Sequence, residues 1–169
     1  MGLKSIGVVL LLVLSVPAWA QTKTTEALQK QHSDALAFYF YNNTLRMLNQ
    51  KEDPDFDELI KDIEKMKFLV IEKDQNFATA DYKKIISNYK AEAFEEIMTS
   101  RLDGKNFDVF LKEKDGKTQG MIVTVNDSST LYVLDIVGSI ALNKVTSLFN
   151  TIDGSSDIAE KIREMAKKD

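Results

Sequence analysis

Four β-rich runs in the second half of the chain restrict its fold more than any other feature: Phe94–Leu102, Phe107–Lys114, Met121–Val125 and Leu131–Val137. They are separated by Asp103-Gly104, Asp115-Gly116 and Asp127-Ser128-Ser129. Asp-Gly between extended runs marks a tight hairpin, because both central residues of a type I′ turn take positive φ. Met121, Val123 and Val125 alternate with Ile122 and Thr124, as strand residues do when successive side chains point to opposite faces. The expectation is a four-strand antiparallel meander.

Upstream the pattern is mixed. Four consecutive aromatics in Leu36-Ala37-Phe38-Tyr39-Phe40-Tyr41 favour a strand with both faces covered. Asn42-Asn43-Thr44 supplies turn and N-cap chemistry for a helix through Leu45, Met47 and Leu48. A second helix is expected after Asp53-Pro54, with Leu59, Ile60, Ile63 and Met66 at helical spacing. Lys67–Glu72 reads as a central strand, and Asp81–Ala93 as a helix burying Tyr82, Ile85, Ile86 and Tyr89. After Gly138, helical spacing returns at Leu142, Val145, Leu148 and Phe149, and again at Ile158, Ile162 and Met165. Strands in a run with helices grouped around them give an α+β class: a two-layer fold with a mixed, mainly antiparallel sheet of about six strands and helices packed on it.

The N-terminus has the form of a cleavable signal peptide over residues 1–20. Lys4 precedes an apolar run from Ile6 to Val16, and Ala18-Trp19-Ala20 offers an A-x-A cleavage site before Gln21. The run is shorter than the roughly 20 residues needed to span a bilayer. Residues 21–35 form a polar leader, frayed or a short helix, and 36–169 a single domain. The expected location is the periplasm or the exterior. Removing the signal takes Lys4 from the 22 basic residues and leaves 21 against 26 acidic ones, a formal charge of −5. Interspersed charge of that sign provides no nucleic-acid footprint and no attraction to anionic lipid. The chain has no cysteine, which excludes disulfides, thiolate catalysis and a lipid-modified cysteine anchor.

Three passages carry a family resemblance: Phe38-Tyr39-Phe40-Tyr41-Asn42-Asn43-Thr44-Leu45-Arg46-Met47-Leu48-Asn49, the helix-to-strand passage Leu59–Leu69, and the hairpin Phe94-Glu95-Glu96-Ile97-Met98 to Asp103-Gly104. Together they resemble a family of small exported proteins of the Gram-negative envelope, catalogued as domain of unknown function 4252. The resemblance spans roughly residues 36–150 and implies fold and location, with no catalytic residue. Many members look like lipoproteins with a cysteine after the signal, where this chain has Gln21.

No constellation reaches an enzyme assignment. His32, the one histidine, sits in the polar leader without a G-x-S-x-G elbow to serve, and is expected at the surface. Asp53, Asp55 and Asp57 have the spacing of a calcium loop with Glu64 twelfth, but Glu58 stands where such a loop requires glycine. Helix capping by the same acids is the better reading. Glu95 and Glu96 point to opposite faces of a strand. Asp135 interrupts an apolar run; solvent exposure is the favoured reading, and a core-facing Asp135 would need a partner such as Arg101 or Lys112. The reading that follows is a binding or accessory module, with no cofactor or metal. Its partner would be an envelope protein or small ligand, with Tyr39, Tyr41, Arg46 and Asp135 as candidates for a binding surface. The alternative is an envelope hydrolase using strand carboxylates such as Asp108 or Asp135. Homo-oligomerisation through a sheet edge stays open.

Overall fold

The structure, a computed structural model, describes residues 21–140 apart from positions 50, 51, 53 and 103. The signal segment, the helical patterns after Ile140, Asp53 and Asp103 lie outside the described residues. The elements are α1 (Lys23–Gln31), β1 (Leu36–Tyr41), α2 (Asn42–Leu48), α3 (Pro54–Ile60), β2 (Ile63–Glu72), α4 (Thr79–Ala91), β3 (Glu95–Leu102), β4 (Lys105–Lys114), β5 (Lys117–Asn126) and β6 (Thr130–Gly138). Six strands form one sheet in the order β1-β2-β6-β5-β4-β3, antiparallel at every pairing. The α+β class and the C-terminal meander are as expected. At the β4–β5 turn Asp115 and Gly116 take φ of 52° and 71°, the positive pair that the Asp-Gly signal implied.

Strand alternation divides the side chains between two faces. On one, Phe40, Met66, Phe68, Val123, Leu134 and Ile136 pack with Leu45 of α2 and with Leu59 and Ile60 of α3. On the other, Leu69, Ile71, Phe110, Ile122, Leu131 and Val133 pack with Leu28 of α1 and with Tyr82, Ile85 and Tyr89 of α4. Burying a side chain of this size contributes roughly 1.5–3 kcal/mol.

Local expectations fail where tertiary pairing overrides them. The helix expected to run to Met66 ends at Ile60, and Ile63 and Met66 belong to β2. Their helical spacing is incidental, because Met66 pairs with Ile136 and Ile63 with Gly138 across the sheet. Gly138 holds that end of the pairing: its φ is 112°, and a Cβ there would lie 2.3 Å from the Asp62 carbonyl oxygen. Asn42 opens α2 without capping it; its Nδ2 instead donates to the carbonyls of Ile60 (3.2 Å) and Ile63 (2.8 Å). β1 is not covered on both faces, since Tyr39 and Tyr41 are 48% and 61% exposed. Of the two states expected for the polar leader, residues 23–31 take the short helix.

Candidate functional site

Among the described residues β1 is an edge strand, with β2 on its one paired side. Its even-numbered aromatics Phe38 and Phe40 join the core face, while Tyr39 and Tyr41 point to the opposite face. Beside them opens a cleft of about 290 Å³, lined by Gln21, Glu26, Tyr39, Phe40, Tyr41, Lys65 and Met66. Tyr39 is held in place: its hydroxyl donates to Gln29 Oε1 at 2.6 Å, and Lys67 Nζ sits 4.8 Å from its ring centroid. Two of the sequence candidates, Tyr39 and Tyr41, thus share one cleft. Arg46 is exposed on α2, whose Leu45 packs on the other face, and it does not line this cleft.

At Asp135 the expectation from sequence is overturned. It is 1% exposed rather than solvent-facing, and its partner is neither Arg101 nor Lys112. Thr22, the N-cap of α1, donates to Oδ2 through its backbone N–H (3.0 Å) and its hydroxyl (2.9 Å). Thr22 Oγ1 also lies 2.7 Å from Thr25 Oγ1, which is 2.9 Å from Tyr89 Oη. An ionised Asp135 only accepts, so the single Thr22 hydroxyl proton goes to it and Thr25 supplies the next link. Burial, opposed by the Thr22 hydrogen bonds and the charge of Lys67, holds the Asp135 carboxyl above the ordinary carboxylate range.

Lys67 faces Asp135 across the β2–β6 pairing and is fully buried, with Nζ 2.7 Å from Glu26 Oε1. Glu92, at the end of α4, takes the Lys23 N–H (2.9 Å) on one oxygen, and the Thr24 N–H (2.7 Å) and hydroxyl (2.6 Å) on the other. The first free amides of α1 are thus satisfied by two carboxylates from distant parts of the chain. α1 is fastened to the sheet through polar groups, with Leu28 as its buried apolar side chain. The sequence signal for this was available in two places: a lysine and an aspartate inside apolar strands, and a Thr22-x-x-Thr25 spacing in the leader. Opposition of Lys67 and Asp135 required the register of β2 on β6, which no local pattern specifies.

Asp108 is the other buried acid among the described residues, bonded by the hydroxyls of Tyr82 and Thr99. It lies opposite Thr124, which is opposite Val133, two residues from Asp135. Strand spacing and rise place the two acids roughly 12 Å apart, with Ile122 and the α4 aromatics packed on the sheet between them. A glycosidase pair stands closer, at about 5–9.5 Å. His32 is half-buried, its ring 6.5 Å from that of Phe77, in a second cleft of about 320 Å³ between α1 and α4. Asp55 and Asp57 occupy the first turn of α3, where negative charge suits the helix N-terminus, and Asp55 lies within the helix and does not cap it. Among the described residues no group of three or more His, Asp or Glu side chains is arranged to hold a metal ion, and no helix is long and apolar enough to cross a membrane.

Sheet, helices and buried polar clasp define a small α+β domain whose open cleft lies at one sheet margin. The family model described as Domain of unknown function (DUF4252) matches residues 30–148, and the chain belongs to that family. Neither a curated protein nor a solved structure matches it.

Proposed function

We propose that the chain is an exported, periplasmic interaction module without catalytic activity of its own, binding an extended segment of an envelope protein along β1. The observation that carries this reading is the state of that edge. β1 has six residues without charge, proline or bulge; it leaves Leu36, Tyr39 and Tyr41 exposed, and the two tyrosines line the cleft. Soluble proteins normally blunt a strand of this kind. Strand addition uses such an edge: main-chain bonds supply affinity, and pockets for alternate side chains supply choice of partner. The buried acids support the non-catalytic part, since Asp135 is committed to Thr22 and Asp108 to Tyr82 and Thr99.

The test is crosslinking in native cells, followed by purification of the protein and mass spectrometry. A partner recovered near equal amount, and lost when Tyr39 and Tyr41 are both changed to Ala, is the expected result. Crosslinks only to a second copy would replace the reading with self-association. Turnover of a generic ester, peptide or glycoside, abolished in Asp108→Asn, would replace it with the hydrolase.

A further inference from the structure

The clasp around α1 is short of positive charge at the point where export would create one. Asp135, Glu26 and Glu92 converge on the start of α1, facing Lys67 and the half-buried Lys65. Thr22 N is 3.0 Å from Asp135 Oδ2, and Gln21 Nε2 is 3.3 Å from the Asp135 carbonyl oxygen. Successive backbone nitrogens are less than about 3.8 Å apart, so Gln21 N lies within about 7 Å of a carboxylate that is 1% exposed. Cleavage between Ala20 and Gln21 would turn that amide nitrogen into an α-ammonium. At such a distance from a buried acid the pair interacts inside the Debye length and is little screened.

We propose that Asp135 is the receptor for the processed N-terminus: the α-ammonium of Gln21 completes the clasp, and the body holds α1 more tightly after signal removal than before. The inference takes the position of the cut from the export reading, while its physics is independent of any partner. Hydrolysis of the Ala20–Gln21 bond needs only water, leaving a carboxylate on Ala20 and the ammonium on Gln21. Two chemical events would undo the pairing. Residues left in front of Gln21 carry the charge away. Cyclisation of Gln21, in which its α-nitrogen bonds Cδ and ammonia leaves, abolishes it.

The measurement compares two proteins ending at Asp169: one released from a removable fusion to begin at Gln21, the other beginning at Ala18. The Gln21 form is expected to melt about 3–6 °C higher, and a cyclised fraction, identified by its mass, to melt with the longer form. In Asp135→Asn the gap should close. Equal melting of the two wild-type forms, or a gap that persists in Asp135→Asn, overturns the proposal. Should that variant not fold, a pH series on the two wild-type forms tests the same pairing. The groups around the amine are Asp135 of β6, Glu26 of α1, Glu92 of α4, Lys65 and Lys67 of β2, and Tyr39 and Tyr41 of β1. A partnered α-ammonium titrates higher in the folded than in the unfolded chain. Its stabilisation is therefore complete below the ordinary α-amine pKa of about 8 and lost as pH rises through the folded value. A gap unchanged at pH 10.5 contradicts the proposal. N-terminal sequencing of the native protein separates the two ideas. A retained signal segment defeats the export reading and the receptor together, whereas a native Gln21 start with no melting gap defeats the receptor alone.

Discussion

The two margins of the sheet are built to opposite rules. β3 carries Glu95, Glu96 and Arg101 exposed, and its pairing with β4 is interrupted by a bulge between Glu96 and Met98. Lys90 on α4 reaches Glu96 at 2.5 Å. Charge and a bulge are two of the devices by which an edge resists pairing with another chain. β1 has neither: its register on β2 is unbroken from Leu36 to Tyr41, and its sequence is wholly uncharged. Among the described residues one margin carries protective features and the other has none, beside a cleft with two exposed tyrosines. This asymmetry is the ground on which the proposed partner is placed at β1.

Substitution can test that asymmetry. The largest effect is expected within β1 itself. Phe40→Ala should cost about 3–4 kcal/mol in urea unfolding because Phe40 is core, whereas Tyr41→Ala should stay within about 0.5 kcal/mol. Comparable losses at both positions would mean that the outer tyrosines are structural. Next comes the clasp that backs β1. Asp135→Asn should cost about 1–3 kcal/mol by weakening the Thr22 and Lys67 contacts, with amide exchange accelerated first at Thr22–Thr25; an unchanged exchange pattern would show α1 to be held some other way. Third, Tyr39→Ala with Tyr41→Ala should reduce crosslinked partner by roughly tenfold, an effect of about 1.4 kcal/mol, while Ile97→Ala on β3 leaves it unchanged.

The smallest effect concerns pH. Burial raises the folded-state pKa of Asp135, so the native state binds its proton more readily than the unfolded chain. The wild type should therefore gain on Asp135→Asn as pH falls from 7 through that raised value toward about 3.9. Urea midpoints at pH 7 and pH 4 check the sign, and a wild type that loses ground in acid would contradict it.

The meander is legible in the sequence because Asp115-Gly116 fixes a hairpin and alternation fixes the faces, both within ten residues of chain. The boundary between α3 and β2 is not, because Ile63 and Met66 satisfy a helical period and a strand equally until β6 selects the strand. At the candidate site, the aromatic run that contains Tyr39 and Tyr41 is plain in the sequence, but which of its faces stays open depends on what packs there. Asp135 resists a local reading, since the group that satisfies it, Thr22, lies 113 residues away. The family match begins at residue 30, so most of α1, including every clasp residue it contributes, precedes the matched segment.

The most direct measurement places a photo-crosslinking side chain at Tyr41 in one strain and at Ile97 in another, then compares what each captures in intact cells. The account predicts a single reproducible envelope protein at Tyr41, bonded through an extended segment, and background at Ile97. Equal capture at both margins, or capture at Ile97 alone, would contradict it.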